Sequence, residues 1–89
     1  MFQWRLEMSD NDELRAWTCL MPDGSELFVE QIYTMFAGYP MWQSLVKFGP
    51  NDEFQVVKSN NSAVFQSRVK AQETAEYFYA AKRDSIYGK

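Results

Sequence analysis

The chain has 89 residues, 46% of them hydrophobic, with 12 acidic and nine basic side chains and a net charge of −3. That length excludes two independent cores, and the apolar fraction excludes an intrinsically disordered chain. One cysteine excludes an internal disulfide, and the absence of histidine removes Ser-His and Cys-His nucleophile pairs and any His/Cys zinc set.

Phe2 to Met8 alternates apolar and polar residues, with Phe2, Trp4, Leu6 and Met8 on one side, as a half-buried strand does. Residues 9–13, Ser-Asp-Asn-Asp-Glu, read as a polar turn. Leu14 to Met21 reads as a second strand with Trp17, Thr18 and Cys19 at its centre. Pro22-Asp23-Gly24 then closes a hairpin into residues 25–29. A rival reading makes Asp23 a helix N-cap with Glu26 in a capping box. From Glu30 the spacing of Ile32, Met35 and Phe36 predicts a helix ended by Gly38. Pro40 starts a short second helix over Met41 to Phe48, with Trp42, Leu45 and Val46 inward. Glu53–Lys58 and Ala63–Lys70 form a second hairpin around Ser59-Asn60-Asn61-Ser62. A last helix runs from about Ala71 to Tyr87, with Glu73 and Glu76 near its start and Lys82 and Arg83 near its end, as the helix dipole favours. The whole predicts one α+β domain over residues 1–89: a small antiparallel sheet in the order β-β-β-α-α-β-β-α, with the helices packed on one face.

Met1 to Met8 alternates and carries Arg5 and Glu7, which is no secretory leader. The longest apolar runs fall far short of the ~20 residues of a membrane span. A cytoplasmic, intracellular protein with no membrane contact is expected.

No residue set points to catalysis. The cluster Asp10, Asp12 and Glu13 is rich in oxygen, but a calcium loop starting at Asp10 needs glycine sixth and glutamate twelfth. Those places hold Arg15 and Met21. The cluster, like Asp52-Glu53, reads as a solvated turn. Cys19 in mid-strand reads as a small buried hydrophobe. No enzyme activity, metal or cofactor is expected.

The positive signal is aromatic: 15 of 89 residues are Phe, Tyr or Trp. Trp17, Phe28, Phe36, Phe54, Phe65 and Phe78 are assigned to the core. Tyr77, Phe78 and Tyr79 are consecutive on a helix and cannot all face inward. With Phe78 inside, Tyr77 and Tyr79 diverge to the flanks. Tyr33, Tyr39, Trp42 and Tyr87 fall near helix ends, where burial is partial. Such residues are enriched in interface cores. Charge adds a direction, since residues 1–53 sum to −6 and residues 54–89 to +3. The leading expectation is a non-catalytic protein-binding module of the phage or mobile-element inhibitor or adaptor type. It would dock an acidic, aromatic surface (Asp10, Asp12, Glu13, Tyr33, Tyr39, Trp42, Tyr77, Tyr79 and Tyr87) on a larger protein partner with a basic, nucleic-acid-processing groove. Second stands a nucleic-acid-binding accessory protein using Lys58, Arg68, Lys70, Lys82 and Arg83, with Phe65 as a stacking ring. Third stands a self-associating structural protein, a homodimer through its aromatics.

Overall fold

The computed structural model describes residues 2–8, 15–33 and 40–87. Five strands, β1 (Arg5–Met8), β2 (Arg15–Leu20), β3 (Glu26–Tyr33), β4 (Pro40–Lys47) and β5 (Gln55–Val57), pair antiparallel in chain order. One helix, α1 (Arg68–Tyr87), follows and packs across β3, β4 and β5. The α+β class and the antiparallel sheet therefore hold, whereas the order β-β-β-α-α-β-β-α does not.

Three segments differ from expectation. The chain from Glu30, read as a helix, continues β3 to Tyr33. Met35, Phe36 and Gly38, which carried that reading, lie outside the described residues. Met41 to Phe48, read as a short helix, is β4. Ala63 to Lys70, read as a return strand, is a loop with one bridge, Phe65 to Trp42, followed by the first turn of α1.

Burial explains the β4 error. Successive side chains of a strand face opposite sides, so Trp42, Ser44 and Val46 lie toward α1 while Met41, Gln43 and Leu45 lie on the open face. Met41 is buried too, so apolar residues occupy both faces and the period of two disappears. One of the fully enclosed positions on the helix side holds a serine. Ser44 is fully buried, and its Oγ donates to the carbonyl oxygen of Ala71 at 2.6 Å. Ala71 and Ala75 are also fully buried, so nothing larger than a methyl separates this stretch of α1 from the sheet.

Two clusters flank that contact. Cys19, Leu27, Val46, Val57, Ala75 and Tyr79 form one, with Phe2, Trp4, Phe48 and Phe78 packed against it. Val29, Phe65 and Ala71 form the other, with Trp4 and Trp42 against it. Of the aromatics assigned to the core, Phe65 is buried and Phe78 half-buried. Phe54 is not a core residue. It is 41% exposed and lies against Phe28 at 5.9 Å between ring centroids, with the Lys47 ammonium 5.3 Å from its ring. Trp17 is half-buried under the Arg68 guanidinium at 4.3 Å, and Phe36 lies outside the described residues. Cys19 behaves as a buried hydrophobe: burial pushes its thiol pKa up despite the Gln3 backbone bond, and its Sγ meets Met21 Sδ at 3.7 Å.

The Pro22–Gly24 hairpin forms as expected and excludes the N-cap alternative. Gly24 N–H donates to Met21 O at 3.0 Å, and Asp23 Oδ1 accepts from Ser25 N–H at 2.9 Å. Gly24 has φ +90, and a Cβ there would stand 2.8 Å from Pro50 Cδ, so glycine is needed for both conformation and space. This brings the β2–β3 and β4–β5 turns together, and buried Ser25 seals them by accepting from Gly49 N–H at 3.0 Å.

Ser67 caps α1, its Oγ accepting from Lys70 N–H at 2.9 Å, so the helix begins three residues before the expected Ala71. The expected dipole match is lost with that shift, because the first turn holds no acid and the last turn no base. Glu76 instead accepts from Trp4 Nε1 at 2.7 Å, tying the helix to the segment before β1. Among the described residues no helix is long and apolar enough to cross a membrane.

Ser44→Ala should lower unfolding stability by about 1 kcal/mol through the lost bond to Ala71. Ala75→Leu should lower it by about 1–3 kcal/mol by forcing α1 off the sheet. Urea unfolding followed by circular dichroism measures both, and the lesion at Ala75 is expected to be the larger.

Candidate functional site

The site grows from an interruption in the sheet edge. Val57 on β5 faces Ser44 on β4, so an unbroken strand would set Ser59 opposite Trp42. Phe65 stands there instead, six residues further along, and exchanges two 2.8 Å backbone hydrogen bonds with Trp42. Residues 58–64 are looped out between these two pairings. Ser59 and Ser62 close the loop with reciprocal backbone bonds of 3.0 and 2.9 Å, and Asn60 and Asn61 have φ of 52 and 66. Two successive left-handed residues make the tight hairpin turn whose twist suits the closing pair, and asparagine tolerates that conformation better than other side chains. The turn at Ser59–Ser62 matches the sequence reading, while the long flanking strand after it is absent.

A groove of about 550 Å³ lies between this loop and α1. Val57, Phe78 and Ala81 line its apolar part, Asn60 and Lys58 its loop side, and Lys70, Thr74 and Tyr77 its helix side, with Glu73 beside them. The helical contributors recur at spacings of three and four, so they form one stripe of α1. Tyr77 is 78% exposed, the highest value for a large apolar side chain among the described residues. Neither Lys58 nor Lys70 is in an ion pair among the described residues.

Of the expected partner-binding residues, Trp42, Tyr77 and Tyr79 have described side chains, and these do not share one surface. Asp10, Asp12, Glu13 and Tyr39 lie outside the described residues. Tyr33 ends β3 and Tyr87 ends α1, with side chains outside the described set. Trp42 is half-buried against Val29, Phe65 and Ala71 and serves the core. Tyr79 does not flank the helix as expected: it is 2% exposed, stacks on Phe48 at 5.8 Å and meets Phe2 edge-on at 6.2 Å. Its hydroxyl donates to Asp23 Oδ2 at 3.0 Å. Among those with described side chains, Tyr77 is the exposed one, and the groove joins it to Lys58 and Lys70. The reading missed Val57, Asn60, Thr74 and Ala81. The stripe Lys70, Thr74, Tyr77, Ala81 was a detectable signal for the helix side.

The groove offers an apolar surface, a phenol, two ammonium groups and an asparagine amide, which suits binding by burial and hydrogen bonding. Among the described residues no three Cys, Asp or Glu side chains lie close enough to hold a metal ion. No protein-family model, no curated protein and no solved structure matches the chain.

Burial works to raise the Asp23 pKa, but the bonds from Ser25 and Tyr79 outweigh it and hold the carboxyl below its ordinary 3.8. A lowered carboxylate contributes stability above its unfolded pKa and loses it as the pH falls through the folded value. Tyr79→Phe should therefore cost about 0.5–1 kcal/mol at pH 7, the low end reflecting the exposure of Asp23, and less at pH 3. Tyr79→Ala should cost about 3–5 kcal/mol, while Tyr77→Ala should stay within about 0.5 kcal/mol of the parent. Urea titrations at both pH values separate the structural tyrosine from the exposed one.

Proposed function

We propose that the chain is a non-catalytic protein-binding module that contacts its partner through the groove between α1 and the 58–64 loop. The observation that supports this reading is Tyr77. A large aromatic side chain is held 78% exposed at the side of a groove lined by Val57, Phe78 and Ala81. Water gains nothing from that arrangement, whereas a partner that covers the ring and the apolar lining gains both areas. Tyrosine beside an apolar pocket is a common hot spot. The −6 balance of residues 1–53 would steer the module toward a basic surface. An inhibitor or adaptor of a nucleic-acid-processing protein fits that polarity.

One observation favours a second reading. Lys58 and Lys70 enter the same groove as Tyr77, and a ring with ammonium groups beside it is how single-stranded nucleic acid is held without sequence preference.

The test is capture from a lysate of the source cell on immobilised parent chain and on Tyr77→Ala, each with and without nuclease, followed by titration of the recovered protein. The proposal expects one stoichiometric protein that survives nuclease and binds Tyr77→Ala about thirtyfold more weakly. Equal binding by both chains removes the groove as the contact. Recovery abolished by nuclease transfers the site to the nucleic-acid reading, in which affinity for labelled single strands falls steeply with salt.

A further inference from the structure

An antiparallel meander has two edges, and each presents backbone N–H and C=O groups that a further strand can pair with. At the β5 edge that row lasts three residues before the looped-out segment interrupts it. At the other edge β1 is continuous, and among the described residues its one neighbour is β2. Its charges alternate in a particular way. Arg5 and Glu7 share one face, two residues apart, and Leu6 between them takes the other. All three are exposed, Leu6 by 45%, and neither charge is in an ion pair among the described residues. Leu6 lies opposite Trp17 on the face that carries α1, but α1 covers β3, β4 and β5 and stops short of β1.

A strand bearing Arg and Glu two residues apart is complementary to itself run antiparallel. With a two-fold axis through Leu6, Arg5 of each copy stands opposite Glu7 of the other, and the two Leu6 side chains meet. A slip that centres the axis on Arg5 or on Glu7 sets like charges face to face, so the charges select one register. We propose that two copies of this chain pair through β1 in that register, forming one ten-stranded sheet with both α1 helices on the same face. The contact is isologous and closes on itself, which stops growth at the dimer. The uncovered strip between the helices receives the two leucines.

The interface makes a distinctive prediction about charge exchange. Arg5→Glu leaves two acids on the strand and Glu7→Arg leaves two bases, so each variant repels itself and attracts the other. Sedimentation over a concentration series should show the parent passing from monomer to dimer. Each single variant should associate about tenfold more weakly. An equimolar mixture of Arg5→Glu and Glu7→Arg should recover at least the parent's association, which also shows that both variants are folded. The proposal is overturned if the parent stays monomeric to about 1 mM, the range of the weakest specific contacts. It is equally overturned if the dimer is indifferent to both exchanges or the mixture fails to associate. A dimer lost on Tyr77→Ala and unaffected at Arg5 and Glu7 would assign self-association to the groove instead.

Discussion

The distance between α1 and the sheet governs this molecule, and three small side chains set it. Ser44, Ala71 and Ala75 are all fully buried, and the Ser44 hydroxyl bonds a helix carbonyl directly. A hydroxyl buried without a partner is costly, so the bond fixes where along β4 the helix begins as well as how close it lies. Once Ala71 and Ala75 are seated, rotation along the helix places every other side chain. Tyr79, one turn beyond Ala75, must enter the core, and Tyr77, about 200° away, must leave it.

The two tyrosines therefore carry different burdens although they stand two residues apart. Tyr79 closes the end of the sheet where the two turns meet, stacking on Phe48 and donating to Asp23. Tyr77 holds nothing in place. The open sheet face is organised by a different chemistry: Glu26 accepts from the Thr18 hydroxyl at 2.7 Å and pairs with Lys47 at 3.8 Å, while the Lys47 ammonium also lies near the Phe54 ring. Phe28, Leu45 and Val56 occupy one row across that face, so that side of the sheet is amphipathic, while the side beneath the helix is mainly apolar around the fully buried Ser44.

Where local chemistry decided the conformation, the sequence was readable. Pro22-Asp23-Gly24 carries its turn in its own side chains, the first strand alternates, the second is centred on strand-favouring Trp17, Thr18 and Cys19, and the alanine-rich C-terminal segment is helical. Where packing decided, it was not. β4 has apolar residues on both faces and a serine among its fully buried positions, so it imitates a helix. The segment before α1 is rich in β-formers, yet only Phe65 pairs, and Ser67 starts the helix in a stretch with no acid to announce it. The groove was half legible, because the stripe through Tyr77 follows from helical spacing and the Ser59–Ser62 turn from its own residues, whereas the departure from the expected return strand after that turn depends on packing against Trp42.

That departure has an evolutionary meaning. The ladder along β4 resumes at Phe65 in the same line it left at Val57, so residues 58–64 contribute nothing to the pairing on either side. They are a graft between two fixed anchor points. Within the limits set by the left-handed turn at Asn60 and Asn61, changes in them bear on one wall of the groove rather than on the sheet pairing. On the proposed binding role, a lineage under pressure to track a changing target would vary its specificity there while the scaffold stayed constant.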